Sequence, residues 1–212
     1  MGLEACLTGE HVILEPLSQD HLPALSLAVA DGELWRLWFT SVPHPDEMKE
    51  YIQQALDSEQ RGEALAFAVR SRSSGAIVGC TRICNWDQAN RRLEIGYTWY
   101  AKSVQRSAIN TETKLLLLEY AFETLDVMAV EFRTHFHNQA SREAITRLGA
   151  KQDGILRNHR LLKDGSVRDT VVYSIIDSEW PEVKQGLKDR LAFYSESVPC
   201  RTRTVSERHL GQ

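Results

Sequence analysis

Residues Ser103 to Phe122 read SVQRSAINTETKLLLLEYAF, a short polar loop that runs straight into a long apolar helix. Loops that enter a helix in this way often hold phosphates, because the first N–H groups of a helix have no partner within it and carry the positive end of its dipole. Such loops are usually rich in glycine, and this one has none. Two readings follow. In one, Asn110 and Thr111 are N-cap residues, Glu112 complements the dipole, and the segment is a capped, buried helix with a polar entry. In the other, the backbone N–H groups from about Arg106 to Thr111 converge on an anion. Backbone groups can do this without glycine if the anion comes from the open side, with side chains limiting its approach.

The flanking sequence sets this unit in a larger frame. RRLEIGYTWY (91–100) precedes it and AVEFRTHFH (129–137) follows it, both with the period-two pattern of strands. Upstream, GEHVILEPLS (9–18) reads as a strand ending near Pro16. Ser18 is placed to cap a helix carrying Leu22, Leu25 and Val29, with Pro23 tolerated in its first turn. LWRLWFT (34–40) is an aromatic-rich connection. A second helix starts around Pro45 and Asp46, with Met48, Tyr51, Ile52, Ala55 and Leu56 on one face. Leu65, Phe67 and Val69 then alternate, SRSSG turns, and AIVGCTRICNW (76–86) runs back as a hairpin. Downstream, Asn138 or Ser141 opens a short helix with Ala144, Ile145 and Leu148 inward and Gly149 as its C′ residue. GILRNHRLLKDGSVRDTVVYSII (154–176) is a closing hairpin turned at Asp164-Gly165, and Trp180 to Tyr194 is helical. The order β–α–α–β–β–β–α–β–α–β–β plus a C-terminal helix predicts an α/β (α+β) domain. Its sheet is mixed and largely antiparallel, with helices on both faces. One domain is expected over residues 1–194, with a C-terminal tail over 195–212.

Composition narrows the function classes. The chain has 212 residues, 42% hydrophobic and 25% charged, with a net charge of −4. That is an ordinary globular mixture, and the acidic balance argues against general nucleic-acid binding. No apolar run is long enough to span a bilayer, and the N-terminus lacks a leader pattern, so a cytoplasmic protein is expected. Cys6, Cys80, Cys84 and Cys200 form no CxxC, and no further ligands are suitably spaced, so reduced thiols and no metal are expected.

With the loop, NTETK leading into its helix, and HNQASREAITRLGAKQDGILRNHRLLKDGSVRDTVVYSI (137–175) in view, the chain resembles the GNAT acetyltransferase superfamily. Within it the chain is similar to the RimJ/RimL-like branch of ribosomal-protein and related N-acetyltransferases. The match covers roughly residues 8 to 190. The branch's N-x-x-S-x-x-A and D-G-x-x-R-D segments stand here at Asn138 to Ala144 and Asp164 to Asp169. In the family's Q/R-x-x-G-x-G/A loop, Gln105 fits, while Ala108 and Asn110 take the glycine positions.

What the resemblance implies is specific. Acetyl-CoA would wedge between the strands 91–100 and 129–137 where they splay, its pantetheine arm pairing with the backbone near Thr98, Trp99 and Tyr100. Gln105, Arg106, Ser107, Ala108, Ile109, Asn110 and Thr111 would cradle the pyrophosphate, with Arg106, Lys102 and Arg142 near the phosphates. Asn138 matches the family Asn that contacts the cofactor arm, and it is equally a helix cap. Ser141 matches the branch's Ser near the sulfur, where a hydroxyl can return a proton to the leaving thiolate. Glu94 stands where these enzymes often carry a catalytic Glu. It would act directly or through water, and otherwise it is an exposed strand residue. His135 and His137 lie two apart and share a side of their strand with Glu131 and Arg133, as a proton relay or, as favoured here, a polar face. Trp35, Trp38 and Phe39 would line an acceptor cleft, with His159, Arg160 and Arg168 contributed by the hairpin. The implied activity is N-acetyl transfer from acetyl-CoA to a primary amine, on a protein N-terminus or a small molecule, by direct attack in a ternary complex. The alternative is a GNAT-fold module that holds an acyl-CoA for regulation without turnover. A third reading, a longer acyl-CoA donor, depends on pocket depth. Dimers are common in the superfamily, and the C-terminal helix and tail could support one.

Overall fold

The computed structural model describes residues 6–162 and 164–196. The predicted tail beyond 196 lies outside them. A short strand β1 (Leu7–Thr8), which the sequence did not reveal, pairs with β2 (Val12–Pro16). Helices α1 (Leu22–Ala30) and α2 (Met48–Gln60) follow. Each is entered through a 3-10 turn, Gln19–His21 after Ser18 and Pro45–Glu47 after His44. Strands β3 (Ala64–Ser71), β4 (Ile77–Asp87) and β5 (Arg92–Tyr100) form a meander. Then come α3 (Ala108–Glu119), β6 (Ala129–His135), α4 (Gln139–Leu148), the hairpin β7 (Lys151–Leu161) and β8 (Val167–Ile176), and α5 (Trp180–Glu196). The hairpin closes where Leu162 N–H donates to the Ser166 carbonyl at 2.8 Å, with Gly165 at φ 83°.

Among the described residues, eight strands join one sheet in the order β1-β2-β3-β4-β5-β6-β8-β7. Only β5 and β6 run parallel, as a strand–helix–strand crossover through α3 requires. Helices cover both faces. Leu117 and Leu118 of α3, Ile145 of α4 and Leu187 of α5 pack on Val130, Phe132 and Ile175. On the other face Leu25, Val29, Met48, Ile52 and Ala55 of α1 and α2 pack on Ala66, Ala68, Cys80 and Trp99. Burying each large side chain contributes about 1.5–3 kcal/mol, so the sheet is held from both sides and its central strands are fixed in place.

Two irregularities shape the middle of the sheet. The β5–β6 pairing spans only Arg92↔Ala129 to Glu94↔Glu131, although both strands continue, so they diverge beyond that rung. On β5, Tyr97 and Thr98 together oppose Thr81, because Cys80 pairs with Trp99 and Arg82 with Gly96. This is a β-bulge with Tyr97 at φ 52°. It changes which face each side chain meets. Leu93 and Ile95 face the α3 side, yet Trp99, four residues after Ile95, packs on the α1–α2 side. In a regular strand the two would share a face.

Candidate active site

The divergence of β5 and β6 opens a cleft of about 530 Å³. Ile95 to Tyr100 form one wall and Phe132 to His135 the other. Gln105, Arg106, Asn110 and Lys114 border it from the loop and α3, Asn138 and Ser141 from α4, and Phe39 from the connection after α1. The crossover thus delivers a helix N-terminus to one end of a gap between two parallel strands.

The loop caps its helix at a different residue from the one the sequence suggested. The cap is Ser107, not Asn110 or Thr111. Its backbone is extended (φ −111°, ψ −177°) and its hydroxyl accepts from Ile109 N–H at 3.3 Å. The helix therefore starts three residues before a cap at Asn110 would start it, burying Ala108 and Ile109 in its first turn. Arg106 takes the left-handed conformation at φ 61°, where a glycine would be unstrained. Gln105 is held by donating its side-chain amide to the Tyr100 carbonyl at 3.2 Å. Glu112 points away from the cleft and accepts from the N–H groups of Glu10, His11 and Val12 at 2.8, 2.6 and 2.7 Å. This ties α3, just past its first turn, to the β1–β2 turn.

Asn138 is the N-cap of α4, its side-chain carbonyl accepting from Ser141 N–H at 3.1 Å. Cap and cleft position coexist in this residue. Ser141 lines the cleft, and its hydroxyl has no hydrogen-bond partner among the described residues. Glu94 lies on the last paired rung of β5 and β6, beside the point of divergence. It is buried, not an exposed strand residue. Its carboxylate accepts from Asn85 Nδ2 at 2.7 Å, and Arg133 Nε lies 3.6 Å away. Burial raises its pKa above the ordinary carboxylate value, with Asn85 and Arg133 opposing the rise. The carboxylate leans over Gly96, which lines the cleft. A Cβ at that position would stand 3.0 Å from Glu94 Oε1, so the glycine gives the carboxylate its room.

Not every expected residue meets the cleft. Thr98, Trp99, Tyr100, Gln105, Arg106, Asn110, Asn138, Ser141 and Phe39 border it. Ser107, Ala108, Ile109 and Thr111 form the cap and first turn of α3 behind it. Arg142 turns away, bonding to the Tyr173 hydroxyl and the Phe136 carbonyl. Trp35 packs against the α1–α2 core and stacks edge-on with His44. Trp38 is exposed and meets the His135 ring edge-on at 4.9 Å.

Three features were not legible in the sequence. His135 is buried, lines the cleft, and has its pKa lowered, first by desolvation and then by Arg168 and His137. Its Nδ1 accepts from His137 N–H at 3.1 Å, which leaves the proton on Nε2, a buried atom with no partner among the described residues. The polar-face reading of the two histidines thus fits the exposed His137 and not His135. Arg82 lies between the rings of Tyr51 and Tyr97, at 4.3 and 4.5 Å from their centres. Lys114 is buried against the cleft with its ammonium on Thr98 Oγ1 at 2.6 Å. Its spacing from Asn110 and Leu117 placed it on an inward face, and that was the one signal in the sequence. Among the described residues no group of three His, Cys, Asp or Glu is placed to hold a metal ion, and no helix is long and apolar enough to cross a membrane.

Comparison with known proteins agrees with this geometry. Residues 11–151 match the family model described as the acetyltransferase (GNAT) domain. A GCN5-related N-acetyltransferase from Brucella melitensis superposes with a TM-score of 0.79 at 32% identity, covering 89% of this chain and 86% of that one. A Bacillus subtilis relative provisionally named ribosomal N-acetyltransferase YdaF is 28% identical over 180 residues, 82% of this chain and 96% of that protein. Mycobacterium smegmatis RimJ, solved with CoA-disulfide, shares the fold with a TM-score of 0.76 at 20% identity, covering 89% and 96% of the two chains. The chain belongs to the GNAT acetyltransferase family and is an acyltransferase.

Proposed function

We propose that this GNAT-family acyltransferase moves the acetyl group of acetyl-CoA onto a primary amine, of a protein N-terminus or a small molecule, by direct attack in a ternary complex. The observation that carries the reading is the convergence of Ser141, Asn138, Asn110 and the loop residues Gln105 and Arg106 on one cleft between diverging strands.

In this reading the pyrophosphate lies against the first turn of α3, where unpaired N–H groups and Arg106 favour an anion. The pantetheine arm pairs with the exposed backbone edge of β5 around Thr98 to Tyr100, and the thioester lies toward the narrow end near Gly96. The amine enters on the Glu94 side, between Phe39, Tyr97 and His135. Its nitrogen bonds to the thioester carbonyl carbon as the C–S bond breaks. The Ser141 hydroxyl hydrogen-bonds to the departing thiolate and passes it a proton that water replaces, while Glu94 accepts the proton of the amine, directly or through water, and returns it to solvent. An α-amine, with a pKa of about 7.7–8.0, needs less help than a Lys side chain at about 10.4.

The test is calorimetric titration of the full chain with acetyl-CoA and CoA, followed by thiol release against a panel of amines and N-terminal peptides. Micromolar binding with turnover on some acceptor is expected. Absence of binding defeats the reading. Binding without turnover on any acceptor points to a regulatory acyl-CoA module instead.

A further inference from the structure

Lys114 is a cation that the transfer mechanism does not use. It is 5% exposed, lines the cleft, and has no carboxylate partner among the described residues. An ammonium has three N–H donors. One goes to Thr98 Oγ1, itself 2.7 Å from Thr81 Oγ1, and two have no acceptor. The Phe132 ring centre is 5.9 Å away. A buried charge held this way is costly unless a counter-ion completes it. Burial lowers the pKa of Lys114 to about 7, which is the physical expression of that missing partner.

Position says what would complete it. Lys114 follows Asn110 by one helical turn, about 6 Å along α3 from the end that faces the pyrophosphate. Thr98 belongs to the bulge, and Phe132 is the first residue of β6 past its last rung with β5. These residues therefore border the narrow end of the cleft, where the acyl group on the coenzyme sulfur would lie. An acetyl methyl offers the ammonium nothing. A carboxylate at the far end of a short acyl chain offers two oxygens.

We propose that this cleft accepts, beside acetyl-CoA, a short acyl-CoA whose chain ends in a carboxylate, of the succinyl class, with Lys114 as the residue that selects it. The inference rests on the proposed placement of the coenzyme. The chemistry of transfer is unchanged. The amine nitrogen bonds to the thioester carbonyl carbon, the C–S bond breaks, the coenzyme leaves as its thiol with one proton, and the distal carboxylate stays on the product.

The experiment compares calorimetric affinities of succinyl-CoA and butyryl-CoA, which match in chain length and differ in the terminal carboxylate, with CoA as reference. The wild-type chain should bind succinyl-CoA at least tenfold more tightly than butyryl-CoA, a difference of about 1.4 kcal/mol. In Lys114→Met, whose unbranched stem fills the same space, the ratio should fall to one or below. Thr98→Val, which removes the bond that aims the ammonium, should lower the ratio in the same direction. Equal or tighter binding of butyryl-CoA to the wild-type chain overturns the proposal, and this result needs no variant to fold. A preference for succinyl-CoA that survives Lys114→Met overturns it equally. If CoA itself fails to bind, the functional reading falls as well. If CoA binds and the succinyl preference is absent, only the Lys114 inference falls.

Discussion

Replacing Glu112 with glutamine tests how the α3 end of the cleft is built. Glu112 Oε2 accepts from His11 and Val12 N–H, and Oε1 from Glu10 N–H. All three bonds run from the backbone of one turn to a carboxylate that is 5% exposed. Glutamine has the same shape but only one acceptor oxygen. Its better orientation keeps two of the bonds, strips both of charge assistance, and points an NH₂ at the Glu10 N–H. A bond to a charged group contributes about 1.5–3 kcal/mol and a neutral one about 0.5–1.5, while an unsatisfied donor costs about 1–3. The expected loss is about 3 kcal/mol. For a chain of this size each kcal/mol lowers Tm by roughly 2–4 °C, so Glu112→Gln should melt about 6–12 °C below wild type by circular dichroism. CoA affinity should fall with it, because the same carboxylate anchors the N-terminal half of α3. A Tm within about 2 °C of wild type would refute the reasoning and show that water or a shifted turn satisfies those N–H groups.

Ser141→Ala should lower kcat by about a hundredfold while leaving KM for acetyl-CoA within about threefold, the pattern of a group that acts on the leaving thiolate rather than in binding. For Glu94, whose pKa is raised by burial, kcat/KM should fall on the acid side with an apparent pKa above 4.5, as the carboxylate becomes protonated and can no longer accept the amine proton. Glu94→Gln should lose about a hundredfold in rate and flatten that limb, and an unchanged limb would assign it to another group. Lys114→Met should be more stable than wild type at pH 7, where the ammonium's burial is still being opposed, since the folded pKa is about 7 against 10.5 unfolded. The gain should shrink as pH climbs from 7 toward 10.5, because the wild-type residue is then neutral in the folded state and progressively loses its proton in the unfolded one. Urea titrations at pH 7 and pH 10 check the sign. Arg106→Glu should weaken CoA binding by about tenfold at low salt and by less at high salt, as a screened phosphate contact requires.

The legible part of the site was the part encoded by short-range spacing. Asn138 and Ser141 stand three apart because a cap oxygen reaches the N–H of the third helical residue, and that relation survives in any fold that starts a helix there. The loop was legible as a loop, but its cap was not. Asn110 and Thr111 have the right side chains, yet Ser107 is chosen because Arg106 reverses the chain at φ 61° and Ala108 and Ile109 gain burial. Glu94 illustrates the opposite case. As a strand residue among apolar neighbours it could face solvent or a packed site. Its burial raises its pKa, while Asn85 on β4 and Arg133 on β6 hold the carboxylate and oppose that rise, and the bare Gly96 two residues on leaves it room.

Sequence by itself determined the element order apart from the two-residue β1, the two faces of the sheet and the strand–loop–helix–strand unit, because periodicity, caps and turns are local and act within a few residues. Only the tertiary structure decided where β5 and β6 part, which face the residues after the Tyr97 bulge meet, and that Lys114 lies buried without a counter-ion among the described residues. Those outcomes depend on which strands hydrogen-bond to which and on what each helix covers. Such contacts join residues far apart in the chain, and no local pattern in the sequence records them.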